Sequence, residues 1–153
     1  ACRYPPAGER GFGPLRPLEY GRRNAVEFCD DADENIMVVV QIEQAAAVEN
    51  IDAIVAVEGL TSLAFGPMDL SASLGHRGQP GHPAVEEAVR HVVERAKAAG
   101  VATGVSIGSD PDSVARWADY GLDWICYGVD VTLMIQCFND VAAHVRHHVA
   151  SRE

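Results

Sequence analysis

The sequence predicts an α/β fold of four strand–helix units in strict alternation, the content of one half of a (β/α)8 barrel. Three observations predict it. Short apolar runs rich in β-branched residues recur along the chain, and each is followed by a segment with helical spacing. Glycine, or glycine next to proline, punctuates the junctions. The chain has 153 residues, whereas a complete barrel needs about 250.

Residues 3 to 17 hold four of the eight prolines and three glycines, too many φ restrictions and missing donors for a regular element. This stretch is expected to be a loop, and its arginines, Arg3, Arg10 and Arg16, suit either solvent or an anionic ligand. From Leu18 to Glu34 a polar pattern interspersed with Tyr20, Val26 and Phe28 predicts a helix. Asp30, Asp31, Asp33 and Glu34 form its solvated end, since a calcium loop needs alternating ligands and a following glycine.

Ile36 to Ile42 reads as the first strand. Gln44 to Asn50 is a strong helix former, continued through Ala56 and ended by Glu58-Gly59. Leu63-Ala64-Phe65 is the second strand, and Pro67 stands where a helix can begin without losing a hydrogen bond. Gly75 to Pro83 forms a second loop. Val85, Ala88, Val89, Val92, Val93 and Ala96 then recur at three and four, an amphipathic helix stopped by Gly100. Val101 to Ile107 is the third strand. A helix opened by Ser109-Asp110-Pro111 carries Val114, Trp117 and Ala118 on one face and stops at Gly121. Trp124 to Val129 is the fourth strand, and Val131 to Ala150 the closing helix. Residues 1–153 thus read as one partial domain: a loop over 1–17, then a helix and four βα units over 18–153. The opening Ala1-Cys2-Arg3-Tyr4, without an initiator Met, fits a piece of a longer protein.

Composition narrows the partners. The chain is 48% hydrophobic and carries twelve Lys+Arg against 22 Asp+Glu, a net charge of −10, which argues against nucleic acid and anionic membrane surfaces. No apolar run approaches a membrane span, and no signal-peptide pattern opens the chain, so a cytoplasmic protein is expected. Cys2, Cys29, Cys126 and Cys137 are scattered, with no close pair for zinc or redox chemistry, and read as free thiols.

The chemistry gathers at two strand ends. Gln41-Ile42-Glu43 closes the first strand, and Gly66-Pro67-Met68-Asp69-Leu70-Ser71 follows the second. Glu43 and Asp69 are separated by roughly one strand–helix repeat, and in parallel barrels the ligand sits at the carboxyl end of the strands. Two hard oxygen ligands suit a divalent ion of the Mg2+ or Mn2+ type. The backbone N–H groups of Met68 and Asp69, in the first turn of a helix, are expected to bind an anion beside it. The plainer role for either acid alone is to complement a helix dipole.

These residues also carry a resemblance. Arg3-Tyr4-Pro5-Pro6 with Arg10-Gly11, Gln41-Ile42-Glu43, Gly66 to Ser71 with Leu74-Gly75, and His82-Pro83 resemble the HpcH/HpaI aldolases in order and separation, with Gly128-Val129-Asp130 in support. These are metal-dependent (class II) pyruvate aldolases. The resemblance implies a (β/α)8 barrel, usually a homo-hexamer whose last helix packs on a neighbour. It implies a divalent metal, Mg2+ or Mn2+ with Co2+ as a further option, held by Glu43 and Asp69. Gln41 matches a residue that positions a metal-bound water. Gly66, Pro67 and the backbone of Met68 and Asp69 match the pyruvate-binding floor. Ser106 stands where relatives often carry a leucine against the substrate. The arginine on the substrate oxygen and the histidine–aspartate pair for proton transfer match nothing in this chain.

The remaining candidates have plain readings. His144, His147 and His148 sit at helical spacing and are read as solvated, not as zinc ligands. His76 and His82 are read as loop-shaping or ligand-edge residues, Trp117 and Trp124 belong to the core, and Asp130 caps the closing helix. The expected parent activity is cleavage of a 4-hydroxy-2-oxo acid to pyruvate and an aldehyde, the chain alone being inactive. The alternatives are another metal-enolate barrel lyase, acting on oxaloacetate or a related diacid, and a non-catalytic half-barrel scaffold.

Overall fold

The computed structural model describes residues 1–152 and divides into two compact units, Ala1–Val38 and the chain from Val39 onward. In the first, the Pro/Gly-rich segment is ordered around a buried Tyr4. The Asp33 carboxylate accepts the Tyr4 N–H at 3.0 Å from both oxygens. The Arg10 guanidinium lies 4.6 Å from the Tyr4 ring centroid, and Phe12 meets that ring edge-on. Helix α1 spans Ala25–Asn35, with the Asn24 side chain accepting the Val26 N–H at 2.9 Å. The helix expected from Leu18 therefore starts seven residues late. Glu19 and Tyr20 adopt φ of 50° and 57°, left-handed values that a right-handed helix excludes, and the chain turns there instead.

The second unit is a four-stranded parallel sheet in chain order. Its strands are β1 (Val39–Ile42), β2 (Ser62–Phe65), β3 (Ala102–Ile107) and β4 (Trp124–Tyr127). Between β1 and β2 lie α2 (Ala45–Glu49) and α3 (Ile51–Val55); between β2 and β3, α4 (Pro67–Ser73) and α5 (Pro83–Ala98). Helix α6 (Pro111–Asp119) precedes β4, and α7 (Asp130–Ala150) follows it. This is the arrangement of half a (β/α)8 barrel.

Proline at the first turn opens α4, α5 and α6 as expected. The single helix predicted after Glu43 is broken at Asn50, whose side chain donates to the Ala46 carbonyl at 2.7 Å while its own φ and ψ leave the helical region. β1 begins three residues later than predicted, and β4 ends two residues earlier.

Strand alternation separates two faces. Ile42, Leu63, Phe65, Val105 and Ile107 point into a core shared with Val85, Val89, Val92, Val93 and Ala96 of α5 and with Trp117 of α6. The other face carries Gln41, Ala64, Gly104 and Trp124 in one register row. Trp124 covers Gly104 there, and its Nε1–H donates to the buried Ser62 Oγ at 2.9 Å. Trp117 is buried, as expected of a core residue; Trp124 is half-buried. Helix α7 has no buried residue, and His144, His147 and His148 on it are exposed. No helix among the described residues is long and apolar enough to cross a membrane. Cys29 is buried; Cys2, Cys126 and Cys137 are exposed.

Candidate active site

The site grows out of the β1–β2 pairing. Gln41 pairs with Ala64 and Ile42 with Phe65, so the next residues, Glu43 and Gly66, emerge side by side at the carboxyl ends of their strands. The Gly66 N–H extends the ladder by donating to the Ile42 carbonyl at 3.3 Å. Glycine at 66 is a steric requirement: a Cβ there would lie 2.8 Å from Glu43 Oε2 and 2.9 Å from Glu43 Cβ. The Glu43 carboxylate also accepts from Gln41 Nε2 at 3.1 Å, a contact that the two-residue spacing along one strand face makes natural.

Gly66 begins the turn into α4, and its carbonyl accepts the Leu70 N–H at 2.8 Å. Met68 and Asp69 fall in the first helical turn, where N–H groups have no intrahelical acceptor. The buried Ser71 hydroxyl donates to the Met68 carbonyl at 2.7 Å and fixes that turn. Ser73 Oγ accepts the Ala45 N–H at 2.9 Å, tying the end of α4 to the chain just past Glu43.

A cleft of about 510 Å³ opens at this end of the sheet. Gln41, Gly66, Pro67, Met68, Asp69 and Ser106 all line it. Glu43 stands behind Gly66 and is half-buried, while Asp69 is exposed. Phe65, Trp117 and Val129 give the cleft apolar walls, and Pro80 and Ser113 complete its rim. Those rim residues come from a loop and a helix whose approach no local pattern in the sequence announces, and the same holds for Ser73.

Among the described residues no group of three or more His, Cys, Asp or Glu is gathered, so a closed four-ligand zinc cage has no counterpart. Two carboxylates, one of them steadied by an amide donor, fit a hard ion that keeps several waters.

The loop residues His76 and His82 stack with ring centroids 3.4 Å apart, and His82 Nδ1 accepts the Ala84 N–H as the cap of α5, which matches their reading as loop-shaping groups. Asp130 differs from expectation: it is the first residue of α7, not its cap, and its carboxylate accepts the Val131 N–H at 2.7 Å.

The model of the HpcH/HpaI aldolase/citrate lyase family matches residues 1–137. The chain belongs to this family. A hydroxypyruvate/pyruvate aldolase of Pseudomonas aeruginosa is 37% identical over 146 residues, covering 95% of this chain and 54% of the relative. A hydroxypyruvate/pyruvate aldolase of Cupriavidus necator is 40% identical over 152 residues, with the same coverages. Among solved structures, an HpcH/HpaI aldolase/citrate lyase family protein from Burkholderia cenocepacia superposes with a TM-score of 0.82 at 33% identity, over 95% of this chain and 57% of that one. As a member of the HpcH/HpaI family, the chain spans about half the length of the curated relatives it matches.

Proposed function

We propose that this chain supplies the metal- and keto-acid-binding part of a class II aldolase that cleaves a 4-hydroxy-2-oxo acid to pyruvate and an aldehyde. The observation that carries this reading is that Gln41 and the Gly66–Asp69 turn line one cleft, with the Glu43 carboxylate packed against Gly66 and hydrogen-bonded to Gln41. Glu43 and Asp69 would hold a divalent ion, Mg2+ or Mn2+ with Co2+ as a further option, and Gln41 orients Glu43 through its amide. A bound ion would supply Lewis-acid stabilisation of negative charge on the keto oxygen.

The chain's own groups do the rest of the binding. The N–H groups of Met68 and Asp69 take the substrate carboxylate at the start of α4. Phe65 and Trp117 exclude water from the apolar side of the keto acid. Ser106, a short polar side chain on the cleft wall, leaves room for the aldehyde portion. The arginine and the histidine–aspartate pair that the resemblance implies match no residue here, so proton transfer falls to groups outside this chain. The homo-hexamer and the cytoplasmic location belong to the same proposal.

The test joins this chain to an upstream half and follows Mg2+- or Mn2+-dependent release of pyruvate from a 4-hydroxy-2-oxo acid. Glu43→Ala and Asp69→Ala should each lower the rate at least about a hundredfold, the scale on which a lost charge-stabilising contact acts. Full metal-dependent release by both variants overturns the reading.

A further inference from the structure

We infer that Ser73 is a positioning residue that sets the distance between the two proposed metal carboxylates. The inference rests on the metal reading above and deepens it. Asp69 and Ser73 are four residues apart in α4 and so share one face of that helix. Glu43 is two residues before Ala45, whose N–H is the first of α2. That N–H is one of the orphan donors of a helix start, and the local cap, Gln44, offers no side-chain bond. Ser73 Oγ fills the vacancy from a distance, accepting the Ala45 N–H at 2.9 Å.

Together with the Gly66 N–H to Ile42 carbonyl bond, this gives the Glu43 segment two ties to the Asp69 segment, one before Glu43 and one after it. The backbone that carries Glu43 is thereby pinned to the helix that carries Asp69. Without the hydroxyl, the Ala45 N–H turns to water, and the Glu43 segment keeps one of its two ties to the Asp69 segment, the bond from Gly66 to Ile42. Carboxylates with a variable separation bind an ion less tightly than a preorganised pair.

Mn2+ affinity is measured by titration on this chain joined to an upstream half, for the wild type, Ser73→Ala, Ser73→Thr and Glu43→Gln, with unfolding midpoints and amide exchange at Ala45 recorded alongside. The expected result is a loss of about tenfold in affinity and faster Ala45 exchange for Ser73→Ala. Ser73→Thr, which keeps the hydroxyl, should bind within about twofold of wild type. Unchanged affinity in Ser73→Ala, with Glu43→Gln still losing binding, overturns the positioning role and leaves the metal reading standing. A lowered midpoint with unchanged affinity does the same, since it marks a purely structural serine. Absence of Mn2+ binding by the wild type, or full binding by Glu43→Gln, overturns the metal reading and this inference with it.

Discussion

The Glu43 carboxylate occupies the space that a side chain on Gly66 would fill, with Oε2 2.8 Å from the position of the missing Cβ. Gly66 has φ of −103°, an ordinary value for any residue, so its glycine is demanded by this contact and not by backbone conformation.

Gly66→Ala should therefore act through Glu43. The added methyl also approaches Glu43 Cβ to 2.9 Å, so rotation of the carboxylate alone does not relieve it. The variant should lose stability by about 1–3 kcal/mol in denaturant unfolding. Its Mn2+ affinity should fall at least about tenfold.

Gln41→Ala removes the amide that donates to Glu43 Oε2 at 3.1 Å. Gln41 is exposed and contributes nothing to the core, so unfolding should shift by no more than about 0.5 kcal/mol. Metal affinity, read by titration, should nonetheless drop about tenfold. A change confined to stability would count against the orienting role.

The row Gln41, Ala64, Gly104, Trp124 predicts a second steric effect. A Cβ on Gly104 would lie 2.0 Å from Trp124 Cδ2. Gly104→Ala should destabilise by about 1–3 kcal/mol and increase the solvent exposure of Trp124, visible as a red shift in its fluorescence. Ser62→Ala should cost about 1–3 kcal/mol, because it strips the partly buried Trp124 Nε1–H of its acceptor.

Tyr120 carries a pH dependence. Burial raises the pKa of its phenol above the usual value, the carboxylate of Glu86 adds to the rise, and Arg90 and Arg116 oppose it. The folded state therefore holds this proton more tightly than the unfolded chain does. The resulting stability is fully present below the ordinary phenol pKa of about 10 and is lost as pH rises through the folded value. Tyr120→Phe should remove that alkaline component, as measured by unfolding midpoints across the alkaline range.

What was legible in the sequence follows the range of the forces involved. Pro67, Pro83 and Pro111 mark helix starts correctly because a fixed φ acts on its own residue. The apolar spacing of α5 foretold its buried face, Val85 to Ala96, because a helix repeats locally. The cleft residues Gln41 and Gly66 to Asp69 could be gathered because parallel strands place their carboxyl ends together, whereas Ser106 entered only through the family resemblance. Glu19 and Tyr20 hid their left-handed turn behind helix-compatible side chains, and Asn50 broke a helix through its own amide. Ser73 was invisible for another reason: its partner, Ala45, is 28 residues away and meets it only once α4 packs.

The strand order has a kinetic side as well. Every strand bonds to the next one along the chain: Val39 opposite Ser62, Ser62 opposite Ala102, Gly104 opposite Trp124. Each pairing closes a loop of roughly 20 to 40 residues, and closure entropy grows only logarithmically with such lengths. No strand must wait for a distant part of the chain before it finds a neighbour. Contact order stays modest for a parallel sheet, and the βαβ units can assemble one after another during synthesis.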